Sequence, residues 1–256
     1  MTATFCDQLE GLVSVIRKVQ PTESLLTATR IPNGVSLKWS TSLGLSATSR
    51  FTSWRFSTEP NLQIVHVERN HPRETLCGDV SLVMYENGAL LLAVVDGLGH
   101  GPLAHEAAKT AVRWLGVSVK QDLQDSVLTA HSHLASTRGT TLGIAKLDLP
   151  SKTVSATTVG NVRLGLYRNY SRVWSPCGCD AVLGHGKGGS SSRLDIRIES
   201  SPIPDGTLLL MLSDGINSQL RLPVVAKISL EELSLDLFTR HQVPSDDASL
   251  LIVSAG

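Results

Sequence analysis

From residue 62 onward, apolar positions fall first in short runs and only later at helical intervals. Leu62 to Glu68, Val80 to Glu86 and Ala89 to Val95 are runs of this kind, and the last is seven apolar residues without a break. Short runs bounded by turn residues predict strands. Asn87-Gly88 joins the second run to the third, and both residues tolerate the positive φ of a type I′ turn, so the pair predicts a hairpin. Ala104, Ala107, Ala108, Ala111, Val112, Leu115 and Val119 then recur at helical spacing, with alanines small enough to let the helix lie close on a sheet. A second helix is predicted from about residue 122 to 136, with Leu123, Val127, Ala130 and Leu134 on one face. His131 joins that face and His133 does not, so they form no ligand pair.

Four runs follow, Thr141 to Leu147, Thr153 to Val159, Val162 to Arg168 and Ser171 to Trp174, and their short turns predict an antiparallel meander. Leu194 to Ile198, Leu208 to Leu212 and Ser249 to Val253 read as further strands, and Ser229-Leu230-Glu231-Glu232 as a capping box opening a helix. Upstream, residues 5 to 20 carry Leu9, Leu12, Val13 and Ile16 at the spacing of a short helix. Residues 25 to 58 are rich in Ser and Thr, contain Arg30, Lys38, Arg50 and Arg55 and no acid, and read as poorly ordered. The expected division is an N-terminal extension over residues 1–60 and one domain over 61–256.

Composition narrows the classes. The chain has 256 residues, 41% of them hydrophobic, enough for a sizeable core. It carries 23 basic and 23 acidic residues, so no global field steers it to nucleic acid or to an anionic membrane. No apolar run approaches the roughly 20 residues that span a bilayer, and the N-terminal residues lack a signal-peptide pattern, so a cytoplasmic protein is expected. Cys6, Cys77, Cys177 and Cys179 offer no Cys-x-x-Cys spacing and are expected as free thiols. Gly184-His185-Gly186-Lys187-Gly188-Gly189 lacks the Ser or Thr that follows Gly-Lys in a nucleotide-binding loop, and residues 176 to 192 read as a mobile surface loop.

The chemistry gathers at strand ends. Ala89 to Val95 runs into Asp96-Gly97-Leu98-Gly99-His100-Gly101, and burying a carboxylate is costly unless a cation or donors take up its charge. Pairing about Asn87-Gly88 sets Asp79 beside Asp96, where two carboxylates raise each other's pKa unless a divalent ion sits between them. Leu208 to Leu212 leads to Ser213-Asp214-Gly215, and Ser245-Asp246-Asp247-Ala248 precedes the last strand. Acids at four strand ends, with no histidine or cysteine at ligand spacing, describe a hard oxygen site suited to magnesium or manganese. Hydrolysis at phosphorus fits such a site and needs no side-chain nucleophile.

Five stretches taken together, Cys77-Gly78-Asp79, Val95 to Gly101, Gly160-Asn161-Val162, Leu212 to Ile216 and Asp246 to Leu250, resemble the ordered signatures of the bacterial metal-dependent serine/threonine phosphatases. That family is the type 2C (PP2C-like) superfamily in its SpoIIE branch, and the chain is most similar to its small RsbX-type regulators. The resemblance implies an α+β fold, a four-layer αββα sandwich of two antiparallel sheets flanked by helices. It also implies two manganese or magnesium ions. Asp96 would bridge them, Asp79 and the Gly97 carbonyl would serve one, Asp214 and Asp246 the other, and Asp247 would support. Asp96 and Asp79 would act catalytically through a water held by the ions. Leu98 stands where eukaryotic relatives have a histidine; His100 nearby is a candidate proton donor, with a structural role in the glycine loop as the favoured alternative, and Arg138 and Arg163 are candidates for phosphate or substrate contact.

The expected activity is hydrolysis of phosphoserine or phosphothreonine in a partner-switching or stressosome-type pathway, on a partner of the STAS-domain type. The rival readings are a pseudophosphatase that sequesters the same partner and a hydrolase of small phosphoesters.

Overall fold

The computed structural model describes residues 24–31, 34–42, 48–56, 62–86, 88–117, 122–185, 194–223 and 228–255. The strands are β1 (Ser24–Ile31), β2 (Gly34–Ser42), β3 (Thr48–Phe56), β4 (Leu62–Arg69), β5 (Asp79–Glu86), β6 (Ala89–Gly97), β7 (Thr140–Asp148), β8 (Thr153–Val159), β9 (Arg163–Arg168), β10 (Ser171–Trp174), β11 (Glu199–Pro202), β12 (Leu208–Leu212) and β13 (Ala248–Ala255). The helices are α1 (Pro102–Val117), α2 (Leu123–His133) and α3 (Leu230–His241). One sheet has the order β1-β2-β3-β4-β13-β12-β9-β10 and the other β11-β8-β7-β6-β5.

Three apolar layers explain why the runs in sequence are unbroken. Leu90, Leu92 and Val94 of β6 point into the space between the sheets, against Ile64, Leu209, Met211 and Leu251. Leu91, Ala93 and Val95, the alternate residues, face α1 and α2. In the other sheet Leu210, Leu212, Leu250 and Ile252 turn outward onto Leu233, Leu237 and Phe238 of α3. A strand buried on both faces has no polar side to show, so its alternation disappears from the sequence. The result is the expected four layers, helices outside two antiparallel sheets. At the start of α3 the capping box forms as predicted, with Glu232 N donating to Ser229 Oγ and Ser229 N to Glu232 Oε2, both at 3.1 Å.

Three expectations differ from the structure. Within residues 25–58, expected as a poorly ordered extension, β3 pairs with β4 from Ser49 opposite Arg69 to Phe56 opposite Leu62. Phe51 is buried in the core under α3, and Arg50 bonds Glu68 through Nε and Asn70 through Nη2. The Ser/Thr-rich composition conceals this because β3 alternates, with Ser49, Phe51 and Ser53 buried between residues that are only partly so. The predicted helix over residues 5–20 lies outside the described residues.

The four-strand meander divides between the sheets. β8 pairs with β7, whereas β9 leaves at Gly160-Asn161 to pair with β12 and β10. Hydrophobic period reports that a strand is half-buried, not which sheet receives it.

Residues 194–198 form no strand. Leu194, Ile196 and Ile198 instead cover the outer core beside α1 and α2, and β11 begins at Glu199. Part of the glycine-rich segment is also anchored, since Leu183 is buried and exchanges backbone bonds with Thr140, at 2.8 and 3.1 Å.

Truncation of Phe51 tests whether β3 belongs to the folded unit. Phe51→Ala is expected to lower stability by about 3–5 kcal/mol in urea unfolding. A change within about 0.5 kcal/mol, typical of an exposed position, would show that β3 adds nothing to the core.

Candidate functional site

The site is built where the strand ends of both sheets meet. In the β5–β6 register Asp79 stands opposite Asp96, as the hairpin predicts, and two carboxylates therefore begin side by side. From the other sheet Asp214 follows β12, while Asp246 and Asp247 precede β13, its antiparallel neighbour. Ser249 N donates to Ser213 Oγ at 2.8 Å and Ser213 N to the Ser249 carbonyl at 3.0 Å, which fastens the two acid-bearing loops together.

Glycines permit the close approach. A Cβ on Gly97 would lie 2.1 Å from the Ala104 carbonyl oxygen of α1, and one on Gly215 would lie 1.8 Å from the carbonyl oxygen of Asp247. Neither position can carry a side chain without moving backbone. Beneath the acids, His66 Nε2 lies 2.9 Å from both Ser81 Oγ and Ser249 Oγ. This buried group ties β4 and β13 to β5, one sheet to the other.

Two buried or half-buried arginines hold the loops. Arg69 donates from Nη2 to the carbonyls of Val243, at 2.5 Å, and Asp246, at 3.1 Å. Arg163 donates to the carbonyls of Asn217, at 3.2 Å, of Ser213, at 3.5 Å, and of Ile216. Its donors thus serve the loop that carries Asp214, which is a different task from the phosphate contact expected of it. Asn161 closes the gap between the sheets: its Nδ2 donates to Asp214 Oδ2 at 2.7 Å, and its Oδ1 accepts from Thr141 Oγ1 at 2.7 Å. The same Thr141 hydroxyl is 3.4 Å from Asp96 Oδ2.

Burial and repulsion together set the electrostatics. Asp79 and Asp247 are buried, Asp96 and Asp246 half-buried, and Asp214 exposed. Burial, and next the charge of Asp96, pushes the Asp79 carboxyl well above its ordinary range. Asp96 is pushed up to about 8 by burial, then by the charges of Asp214, Asp246 and Asp247. Asp214 and Asp247 are raised too, in both cases by burial first. Asp79 Oδ2 and Asp247 Oδ2 are buried with no hydrogen-bond partner.

A hard divalent cation fits this demand, because it would satisfy the orphaned oxygens and reverse the repulsion at once. Among the described residues no three His, Cys, Asp or Glu side chains converge on one point.

On the rim, His100 is exposed, with Nδ1 2.7 Å from Glu74 Oε1. Its ring stacks on His71 at 4.1 Å, and His71 N donates to Asp247 Oδ1 at 2.7 Å. Arg138 is exposed above the glycine loop, its Nη1 2.9 Å from where a Cβ on Gly99 would stand. His131 and His133 stay away from the site; the first accepts from Gly184 N at 3.1 Å and the second stacks on Trp114. Sequence reasoning assigned no part to Arg69, His66, Thr141 or Asn161, although Asn161 lies within the Gly160-Asn161-Val162 signature.

No helix among the described residues is long and apolar enough to cross a membrane. The chain is similar to the phosphoserine phosphatase RsbX of Bacillus subtilis, 22% identical over 193 residues that cover 75% of this chain and 94% of that one. Its fold is similar to that of the crystal structure of RsbX in complex with magnesium, with a TM-score of 0.69 and 21% identity over 80% of this chain and all of that one. A chain solved in work on the bacterial stressosome, described as a modular system adapted to control secondary messenger signalling, aligns at a TM-score of 0.67 with 26% identity, covering 75% of this chain and 98% of that one. The family described as Stage II sporulation protein E (SpoIIE) matches residues 86–255, two-thirds of the chain. With its strand-end acids, its two flanked sheets and that match, the chain belongs to the SpoIIE family of PP2C-like phosphatases.

Proposed function

We propose that the protein is a metal-dependent phosphatase acting on phosphoserine or phosphothreonine of a regulatory protein. The observation that carries this reading is the pairing of Asp79 with Asp96 on one sheet, facing Asp214 and Asp246 from the other. The likeness to a phosphoserine phosphatase and to a chain solved in work on the bacterial stressosome supports a cytoplasmic role in partner-switching regulation, on a STAS-type partner. The catalytic unit is taken as residues 61–256, with β1–β3 as an added sheet edge.

In this reading Asp79, Asp96 and the Gly97 carbonyl would hold one manganese or magnesium ion, and Asp214, Asp246 and Asp96 would hold a second. Such ions, when bound, lower the pKa of water and stabilise charge on phosphoryl oxygens. The protein's own groups orient the rest. Asn161 and Thr141 fix the Asp214 and Asp96 carboxylates, and Arg69 and Arg163 fix the loop backbones beneath them. Arg138 supplies a planar guanidinium for phosphoryl oxygens. His100, its Nδ1 held by Glu74, would, as the imidazolium, pass its Nε2 proton to the departing seryl or threonyl oxygen, which leaves as the alcohol.

Phosphate release is measured from an aryl phosphate and from a phosphoserine STAS protein, with manganese, with chelator and with Asp96→Asn. Release that needs metal and falls at least a hundredfold in the variant is expected, with the protein substrate preferred. Preference for the aryl phosphate would favour a small-phosphoester hydrolase. No release from either would favour a sequestering module.

Manganese or magnesium is expected to raise the melting temperature, and Asp96→Asn to reduce the rise; a metal-independent melting curve would count against the site.

The raised carboxyls also set a pH dependence. Asp96 in the folded chain keeps its proton up to about 8, while the unfolded chain releases it near 3.8. The folded state therefore binds more protons across that window, and stability falls as pH rises through it. His66, lowered by burial, works in the opposite direction below 6.5. The contrast is therefore cleanest between about pH 7 and 8.5. Metal-free protein should melt lower at the higher pH, and saturating manganese should abolish the difference. Equal metal-free melting temperatures would overturn the assignment of a shared proton to the cluster.

A further inference from the structure

A groove of about 480 Å³ opens beside the acid cluster, between the Gly160–Leu164 turn and the loop over residues 175–180. Its size falls within the roughly 300–1,000 Å³ of ligand clefts. One wall is Asn161, whose Nδ2 is 2.7 Å from Asp214 Oδ2, so the groove begins at the cluster itself. Its charged residues are Arg163, Arg172 and Asp180. Arg163 contributes charge but few donors, because those are engaged by the carbonyls of Ser213, Ile216 and Asn217.

Arg172 is different. It is exposed, and no hydrogen bond or ion pair engages its guanidinium among the described residues. Its stem is nevertheless seated: a Cβ on Gly165 would lie 3.1 Å from Arg172 Cδ, so the glycine lets the arginine lie flat across β9. A guanidinium held by its stem with free donors matches a carboxylate in two parallel hydrogen bonds. Its position on the wall of a groove whose Asn161 bonds Asp214 sets that carboxylate apart from the reacting phosphate.

Resting on the phosphatase reading above, we propose that this groove seats the segment of the phosphoprotein flanking the phosphorylated residue, with Arg172 pairing with an acidic side chain of that segment. The two arginines outweigh the single Asp180, so the groove favours acidic over basic neighbours. The acid cluster takes the phosphate only with its cations, whereas the groove reads the chain around it. Selection among phosphoproteins then resides in β9, β10 and their following loop, and hydrolysis in the strand-end acids.

The test uses the full chain with manganese and two phosphoserine peptides, identical except that the residues flanking the phosphoserine are Asp and Glu in one and Ala in the other. The wild-type protein should prefer the acidic peptide about tenfold in kcat/KM, through KM. In Arg172→Ala this ratio should fall to near one, in Arg172→Glu it should invert, and Arg172→Lys should restore part of it. Because each ratio is taken within one variant, a partial loss of folded protein cancels.

Fluorescence anisotropy of the same labelled peptides separates this proposal from the activity. If no peptide is hydrolysed, the phosphatase reading fails, while preferential binding of the acidic peptide that Arg172→Glu abolishes would still support the groove. An unchanged ratio in Arg172→Ala and Arg172→Glu, in turnover or in binding, overturns the proposal. So does an equal response to an unphosphorylated polyanion such as heparin, which would mark a general anion surface.

Discussion

The repulsion between carboxylates at the meeting point of two sheets is the constraint on which the rest of this structure depends. Asp79 and Asp96 face each other by strand register, and register is not negotiable once the hairpin's apolar face is buried. Neither can retreat to solvent without moving a core strand. Burial, and after it the charges of Asp214, Asp246 and Asp247, push the Asp96 carboxyl up to about 8, and burial followed by the charge of Asp96 pushes Asp79 well above its ordinary range. A divalent cation between them would offset that repulsion and satisfy the buried oxygens of Asp79 and Asp247 that have no hydrogen-bond partner.

Much of the surrounding detail is what that repulsion requires. Loops bearing like charges move apart unless something neutral or cationic binds their backbones. Arg69 and Arg163 do this from below, each through carbonyl oxygens and not through the acids themselves, which leaves the carboxylates available. Asn161 spans the two sheets as a neutral bridge, donating to Asp214 and accepting from Thr141. Gly97 and Gly215 remove the side chains that would keep the helix and the second acid loop at a distance. The His66, Ser81 and Ser249 group fixes the separation of the sheets one layer down. These residues act through position, and a search for charged pairs alone passes over them.

The acid set was legible because each member lies at one end of a strand whose burial can be read from its composition. Asp96 follows seven apolar residues and Asp214 follows five, and a carboxylate at such a place needs a partner wherever it ends up. Arg163 shows the limit of that reasoning. Its place beside Gly160-Asn161-Val162 suggested phosphate, yet its guanidinium turns under the Asp214 loop, because a half-buried arginine is drawn to unsatisfied carbonyls nearby. Arg138 and His100 lie on the rim, and Glu74 and His71, which orient His100, gave no signal because they come from a loop without periodicity.

Local pattern by itself determined most of the elements from residue 62 onward, the β5–β6 pairing, the α3 cap and the acids at strand ends, since turn chemistry, capping and hydrophobic period act over a few residues. Only the tertiary structure decided that β3 joins the sheet, that β8 and β9 part at Gly160, and that residues 194–198 cover a core without pairing. It also decided which arginine holds backbone and which stays free. Those outcomes rest on long-range burial and on competition for carbonyl oxygens, and neither quantity exists until the two sheets have closed on each other.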